Sequence, residues 1–292
     1  MKKLLFTSTL VWLVAFCAIA QEGGMLDGLE DAPETEKVIS AFKSPRVINQ
    51  HSMEMLHKGA LDFRILHRFG RIDRGLYDLF GLDQASMRMS FDYGISQDFT
   101  VGVGRSTRNK EVDGFVKYRF LSQTKGTKSF PFSLVWVSGI TVNGVKDPFG
   151  PDIDATISRR TAYYHQAIFG RKFNDNFSLQ LTPTIVHRNL TTSSVNANTL
   201  YGLGFGARYK VSKRVALVID YVHAFNRFPA TITNNPLSIG VDIETGGHVF
   251  QLHISNALGM NERSFIADSN ASWLDGGIQL GFNLSRVFQI RE

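Results

Sequence analysis

The sequence predicts an all-β fold, an up-and-down antiparallel barrel of about 12 strands that crosses a membrane, preceded by a short N-terminal arm. Three observations predict it. Apolar and polar residues alternate with a period of two over most of the chain. The connections alternate between short and mostly long. No apolar helical run long enough to span a bilayer follows residue 20, so a spanning chain has only the closed barrel open to it.

The alternation is clearest at Leu237–Asn256. Leu237, Ile239, Val241 and Ile243 alternate with Ser238, Gly240, Asp242 and Glu244. After Thr245-Gly246-Gly247, the apolar Phe250, Leu252 and Ile254 alternate with Gln251, His253 and Ser255. A period of two places one set on each face of a strand, and the glycines between supply a hairpin turn. From Lys58 onward the same reading gives strands near 58–69, 85–95, 98–106, 113–121, 130–142, 161–172, 177–188, 199–211, 215–225, 236–244, 247–257 and 275–288. Most approach the ~9–11 residues of a tilted bilayer-crossing strand. The strand 215–225 has a half-apolar second row, and either row of 161–172 could be the apolar one.

Short connections fall at Ser96-Gln97, 173–176, 212–214 and Thr245-Gly246, with 122–129 somewhat longer. Between them lie 70–84, 106–112, 143–160, 189–198, 226–235 and 258–274. Outer-membrane barrels have even strand numbers, short periplasmic turns and long outer loops. Twelve strands put both ends of the barrel on the short-turn side.

A soluble sandwich has the same period with its apolar row inside. Glycines on the polar row (Gly102, Gly104, Gly202, Gly204, Gly206, Gly277, Gly281) argue for the inverted arrangement. They weaken a solvent-facing sheet but leave room in a crowded lumen. Rings at the ends of apolar rows, such as His67, Tyr93, His187, Tyr209, Tyr221 and His248, suit a membrane–water boundary. Pro183 is the exception, since it removes a donor from a closed ladder; a bulge would accommodate it.

Residues 1–20 read as a secretory signal peptide: Lys2-Lys3, an apolar run from Leu4 to Phe16, then Ala18-Ile19-Ala20. Phe16 before Cys17 is too large for a lipidation signal. Cys17 is the single cysteine, so the mature chain has no disulfide or thiolate chemistry. Losing Lys2 and Lys3 lowers the formal charge of +6 to +4, dispersed without a basic run, which excludes a nucleic-acid footprint. The arm, 21–57, is acidic at first (Glu22, Asp27, Glu30, Asp31, Glu34, Glu36), with a short helix predicted after Pro33 and an extended stretch from Phe42 to Asn49. It is expected in the periplasm, tucked towards the barrel mouth.

Several stretches resemble an uncharacterised outer-membrane β-barrel family of Bacteroidota, a domain of unknown function. They are Phe42-Lys43-Ser44 with Arg46-Val47-Ile48-Asn49, Asp62-Phe63-Arg64, His67–Gly70, Leu79–Gln84, Asp113–Tyr118, Pro183–Asn189, Gly206–Arg214, Asp242–His253 and Phe282–Phe288. The resemblance spans about the whole mature chain. It implies an outer-membrane barrel and carries no activity or catalytic residue. Phe288 lies near the end as the aromatic signal that barrel-assembly machinery reads, although four residues follow it.

The candidate lumen lining is Asp62, Arg64, Arg88, Asp92, Lys117, Arg119, Arg208, Asp220, Asp242, Gln251 and His253, and the same row adds Arg68, Arg188, Lys210 and Glu244. Eight basic against five acidic residues predict a net-basic bore that passes or binds small solutes. The alternative is a closed structural or adhesive barrel presenting its loops, with the charges paired across it; twelve strands lie between filled and open barrels. Outer-membrane lipid and small solutes are the expected partners. A lipid hydrolase is the third reading, and it lacks a serine beside His187, His223 or His248. No metal or cofactor is predicted: His248 and His253 fall on opposite faces, and 147–154 lacks the calcium-loop spacing. Gly202-x-Gly-x-Gly206 precedes no helix and is no nucleotide fingerprint.

Overall fold

The computed structural model describes residues 34–191, 197–227 and 233–291. The predicted signal peptide, 1–20, and the arm up to residue 33 lie outside them. Twelve antiparallel strands close into one barrel. They are β1 (Ala60–Arg71), β2 (Ala85–Ser96), β3 (Phe99–Ser106), β4 (Val112–Leu121), β5 (Ser133–Val142), β6 (Thr161–Lys172), β7 (Phe177–Arg188), β8 (Thr199–Lys210), β9 (Val215–Ala224), β10 (Leu237–Thr245), β11 (His248–Ser255) and β12 (Gln279–Gln289). Each pairs with its neighbours in sequence, and β12 closes onto β1 with Phe282 opposite His67 and Leu284 opposite Ile65. The short connections gather at one end and the long ones at the other.

The apolar rows face outward. On β2, Met89 and Phe91 are exposed while Arg88, Ser90 and Asp92 are buried. On β10, Ile239 faces out and Ser238 and Asp242 face in. An apolar band around the outside of a closed barrel is the pattern of a membrane-spanning barrel. On β6 the structure resolves the ambiguous pattern: Tyr164, Gln166 and Ile168 point inward, Tyr163, His165 and Phe169 outward. Ring pairs cap the exterior, as where His67 stacks on Phe282 with centroids 4.8 Å apart.

A charged side chain on this surface has no partner in lipid. Phe91→Arg, in the middle of β2, is expected to lower stability by about 2–4 kcal/mol, read from denaturant unfolding in lipid vesicles. Leu274→Arg, at a fully exposed loop position, is expected to stay within about 0.5 kcal/mol.

Pro183 causes no bulge. Its side chain points outward. The β8 register runs through it unshifted, with Leu203 opposite. On the other side the β6 pairing lapses between Gln166–Thr184 and Phe169–Leu181 and resumes in the same register. The missing donor is thus absorbed as a local gap in the ladder.

The arm departs from expectation in three ways. Glu36–Lys37 form no helix but a two-residue ribbon with Thr124–Lys125 in the β4–β5 connection. The Phe42–Asn49 stretch is bent, with Val47 N–H donating to the Gln50 carbonyl at 2.9 Å and Arg46 bridging His51. And residues 41–53 do not stop at the mouth: nearly all are buried inside the barrel. The segment is a hairpin inserted from the short-turn end. One limb is held there by Val38 N–H on the Gln123 carbonyl, the other by Gly59 N–H on the Gly94 carbonyl.

The lumen is therefore filled, and one side of it is apolar. Phe42, Val47 and Met53 of the segment pack with Val135, Val137, Tyr164, Ile168, Val186 and Val222 of the wall. Val222, on the half-apolar second row of β9, belongs to this cluster, so that part of the row meets the inserted hairpin and not water.

Candidate functional site

The candidate site is the bore and the segment that occupies it. Asp220, central on the inward row of β9, is the main anchor. Its Oδ2 accepts the consecutive backbone N–H groups of Ile48, Asn49 and Gln50 at 3.0, 2.7 and 2.9 Å, and its Oδ1 accepts Gln50 Nε2 at 2.7 Å. Three successive N–H groups converging on one carboxylate form an anion-binding nest, and charge-assisted bonds are roughly twice as strong as neutral ones.

The rest of the wall holds the segment from several sides. Gln251 Nε2 and Asn283 Nδ2 donate to the carbonyls of Val47 and Ile48. Arg68 donates to Asn49 Oδ1 at 2.8 Å. Gln180 donates to the His51 carbonyl and accepts from Met53 N–H. Lys117 Nζ reaches the carbonyls of Pro45 and Glu54 at 3.3 and 2.5 Å. Glycines on the inward rows give the clearance. A Cβ at Gly204 would lie 1.8 Å from Gln50 Oε1, and one at Gly170 would lie 2.3 Å from Met53 Sδ.

The long-loop end reaches down to the hairpin tip. The 258–274 connection contains a helix, α1 (Glu262–Ala267), that the strand pattern did not show. Asn261 caps it by accepting Ser264 N–H at 2.9 Å. Its first residue, Glu262, is fully buried and accepts from Arg46 NH1 at 2.9 Å, with His51 Nε2 at 3.3 Å. Arg46 also donates to the Asn49 carbonyl and lies 5.9 Å over the Phe115 ring.

Of the predicted lining residues, Asp62, Arg64, Arg88, Asp92, Lys117, Arg208, Asp220, Asp242, Gln251 and His253 are buried on inward rows. Arg119 sits instead at the short-turn rim, donating to Asp98 at 2.7 Å. The charges pair along the wall and not across the bore: Arg64 with Asp62 at 2.5 Å on one strand, Arg208 with Asp242 at 3.9 Å, and Arg88 with Asp113 at 2.5 Å. Asp113, absent from the predicted set, is the chief partner of Arg88. Lys117, Asp220, Gln251, Arg64 and Arg68 converge on the segment; His253 makes no side-chain hydrogen bond among the described residues.

The register also brings Ser138 opposite His165 on the outer face, Oγ to Nδ1 2.9 Å, a contact the spacing did not reveal. Trp136 Nε1 donates to the same Oγ at 2.7 Å. No third group holds the other ring nitrogen among the described residues, and a nucleophilic triad requires one.

A family model described as a membrane-bound β-barrel domain, DUF5777, matches residues 42–288. The chain belongs to this family. The match begins at Phe42, so the membrane-bound β-barrel domain, as this family defines it, includes the inserted hairpin as well as the wall. No curated protein matches the sequence. Among solved structures, an outer-membrane channel from Pseudomonas putida F1 is similar at 12% identity, over 81% of this chain and 98% of that one, with a TM-score of 0.48. The NanC porin is similar at 8% identity, over 78% and 98%, with a TM-score of 0.45. The KdgM porin is similar at 10% identity, over 80% and 99%, with a TM-score of 0.44.

Proposed function

We propose that this DUF5777 barrel resides in the bacterial outer membrane, exported by its signal peptide and inserted by the barrel-assembly machinery, and that it binds small solutes and passes them only when the N-terminal hairpin leaves the bore. The observation that carries this reading is the burial of residues 41–53 against polar groups drawn from most of the wall. A static open pore has no use for such a segment. A permanently sealed barrel could close its bore with side chains of its own, as smaller barrels do. The second reading, a closed scaffold presenting its loops, is favoured by the density of the hairpin's bonds. A hydrolase is not favoured, because the Ser138–His165 pair lacks an orienting group.

Planar-bilayer recording separates the readings. The intact protein is expected to give almost no stepwise current, and a chain lacking residues 42–53 is expected to conduct steadily. Ohmic current through the intact protein would defeat the hairpin as a closure. A deletion chain that folds, shown by heat-modifiable gel mobility, yet stays silent would leave only the closed scaffold.

A further inference from the structure

At the long-loop end, five connections enclose a cleft of about 490 Å³, within the ~300–1,000 Å³ range of small-molecule sites. Its wall carries Arg108, Arg159, Arg160, Arg188 and Arg263 against one carboxylate, Asp268. That carboxylate is already engaged, by Arg263 NH1 at 2.5 Å and Arg188 NH1 at 3.8 Å. Arg263 is also held by Glu111 at 2.6 Å. Arg108, Arg159 and Arg160 have no ion-pair partner among the described residues. Arg159 and Arg160 donate instead to the main-chain carbonyls of Asp154, Asn143 and Val145, which satisfy N–H groups without neutralising charge.

Arg188 is more than nine-tenths buried. Its Nε, like those of Arg160 and Arg108, is shut from solvent without a hydrogen-bond partner among the described residues. A buried donor left unpaired is destabilising, and more so when its group is charged. With Arg108, Arg159 and Arg160 free of ion pairs among the described residues, the wall of the cleft carries an excess of positive charge that suits a ligand bearing negative charge. Guanidinium groups meet phosphate and carboxylate through paired N–H bonds. The same wall offers the amides of Asn143 and Asn270 and the ring of Phe149, which suit hydroxyls and a sugar face.

We infer that this cleft binds a small, hydroxyl-rich solute bearing one phosphate or carboxylate group, about the size of a monosaccharide, with the anion on Arg160 and Arg188. The inference goes beyond the closed-bore reading and does not rest on it, because the site lies among the loops and its occupancy is read without any current.

Calorimetric titration of the detergent-solubilised full chain tests it with three probes: glucose 6-phosphate, glucuronate and glucose. Saturable binding of one or both anions, weakened by salt, with none for glucose, is expected, and the tighter anion identifies the group. Arg160→Gln with Arg188→Gln is expected to weaken that binding at least about tenfold. Asp268→Asn releases two arginines from their carboxylate and is expected to tighten it severalfold, a change that loss of structure would not produce. No binding of either anion, equal binding of glucose, or unchanged affinity in the folded double variant would each overturn the site.

Discussion

Asp220→Ala is expected to free the tip of the inserted hairpin at a cost of at least about 3 kcal/mol, because three buried backbone N–H groups lose their acceptor together. The carboxylate takes Ile48, Asn49 and Gln50 on one oxygen, so no neighbour can replace it by a small rotation. Hydrogen exchange at those three amides reads the effect directly, with faster exchange than in the intact protein. Trypsin supplies a second readout, since Lys43 and Arg46 would become available for cleavage. Asp220→Asn retains an oxygen acceptor without the charge and is expected to fall between. Unchanged protection at 48–50 in the alanine variant would show that the nest is not what anchors the tip.

Glu262→Ala is expected to cost about 3–5 kcal/mol, since it leaves Arg46 as an uncompensated charge in the closed bore. Both partners of this pair are almost wholly inaccessible. Desolvation of the two ions offsets much of their attraction, so replacing both, as in Arg46→Met with Glu262→Leu, is expected to recover most of the loss. A double-mutant cycle on denaturant unfolding measures the coupling. Simple addition of the two single effects would mean that helix α1 and the hairpin tip are not joined through this contact.

The wall was legible because its signal is local. Alternation along β2, β10 and β11 assigns each side chain to a face, and the spacing of glycine-rich turns divides the chain into strands. Helix α1 had a local signal too, an Asn261 cap followed by Glu262 in the first turn, hidden inside a stretch read as a loop. The inserted hairpin had none. Its partners Asp220, Gln251 and Asn283 lie 170 to 235 residues away in sequence, and contacts that distant leave no period to read. The one trace was the row Ala216, Val218, Val222 and Ala224 on β9, too apolar for a wet lumen. The Ser138–His165 contact was hidden because the outward row of β6 was undecided. Pro183 misled in the opposite direction: it counted against a closed ladder, which needs no bulge to hold it and simply lapses on one side.

The hairpin enters and leaves through the same mouth, and this bears on how it can move. A single strand threaded through the bore would need a chain terminus drawn the whole way past a ring of buried charges before the passage cleared. A doubled-back loop needs no free end. Pulled on both limbs from the short-turn side, it slides out tip last, like a bolt from its socket, and every strand pair of the surrounding cylinder can stay intact while it does so.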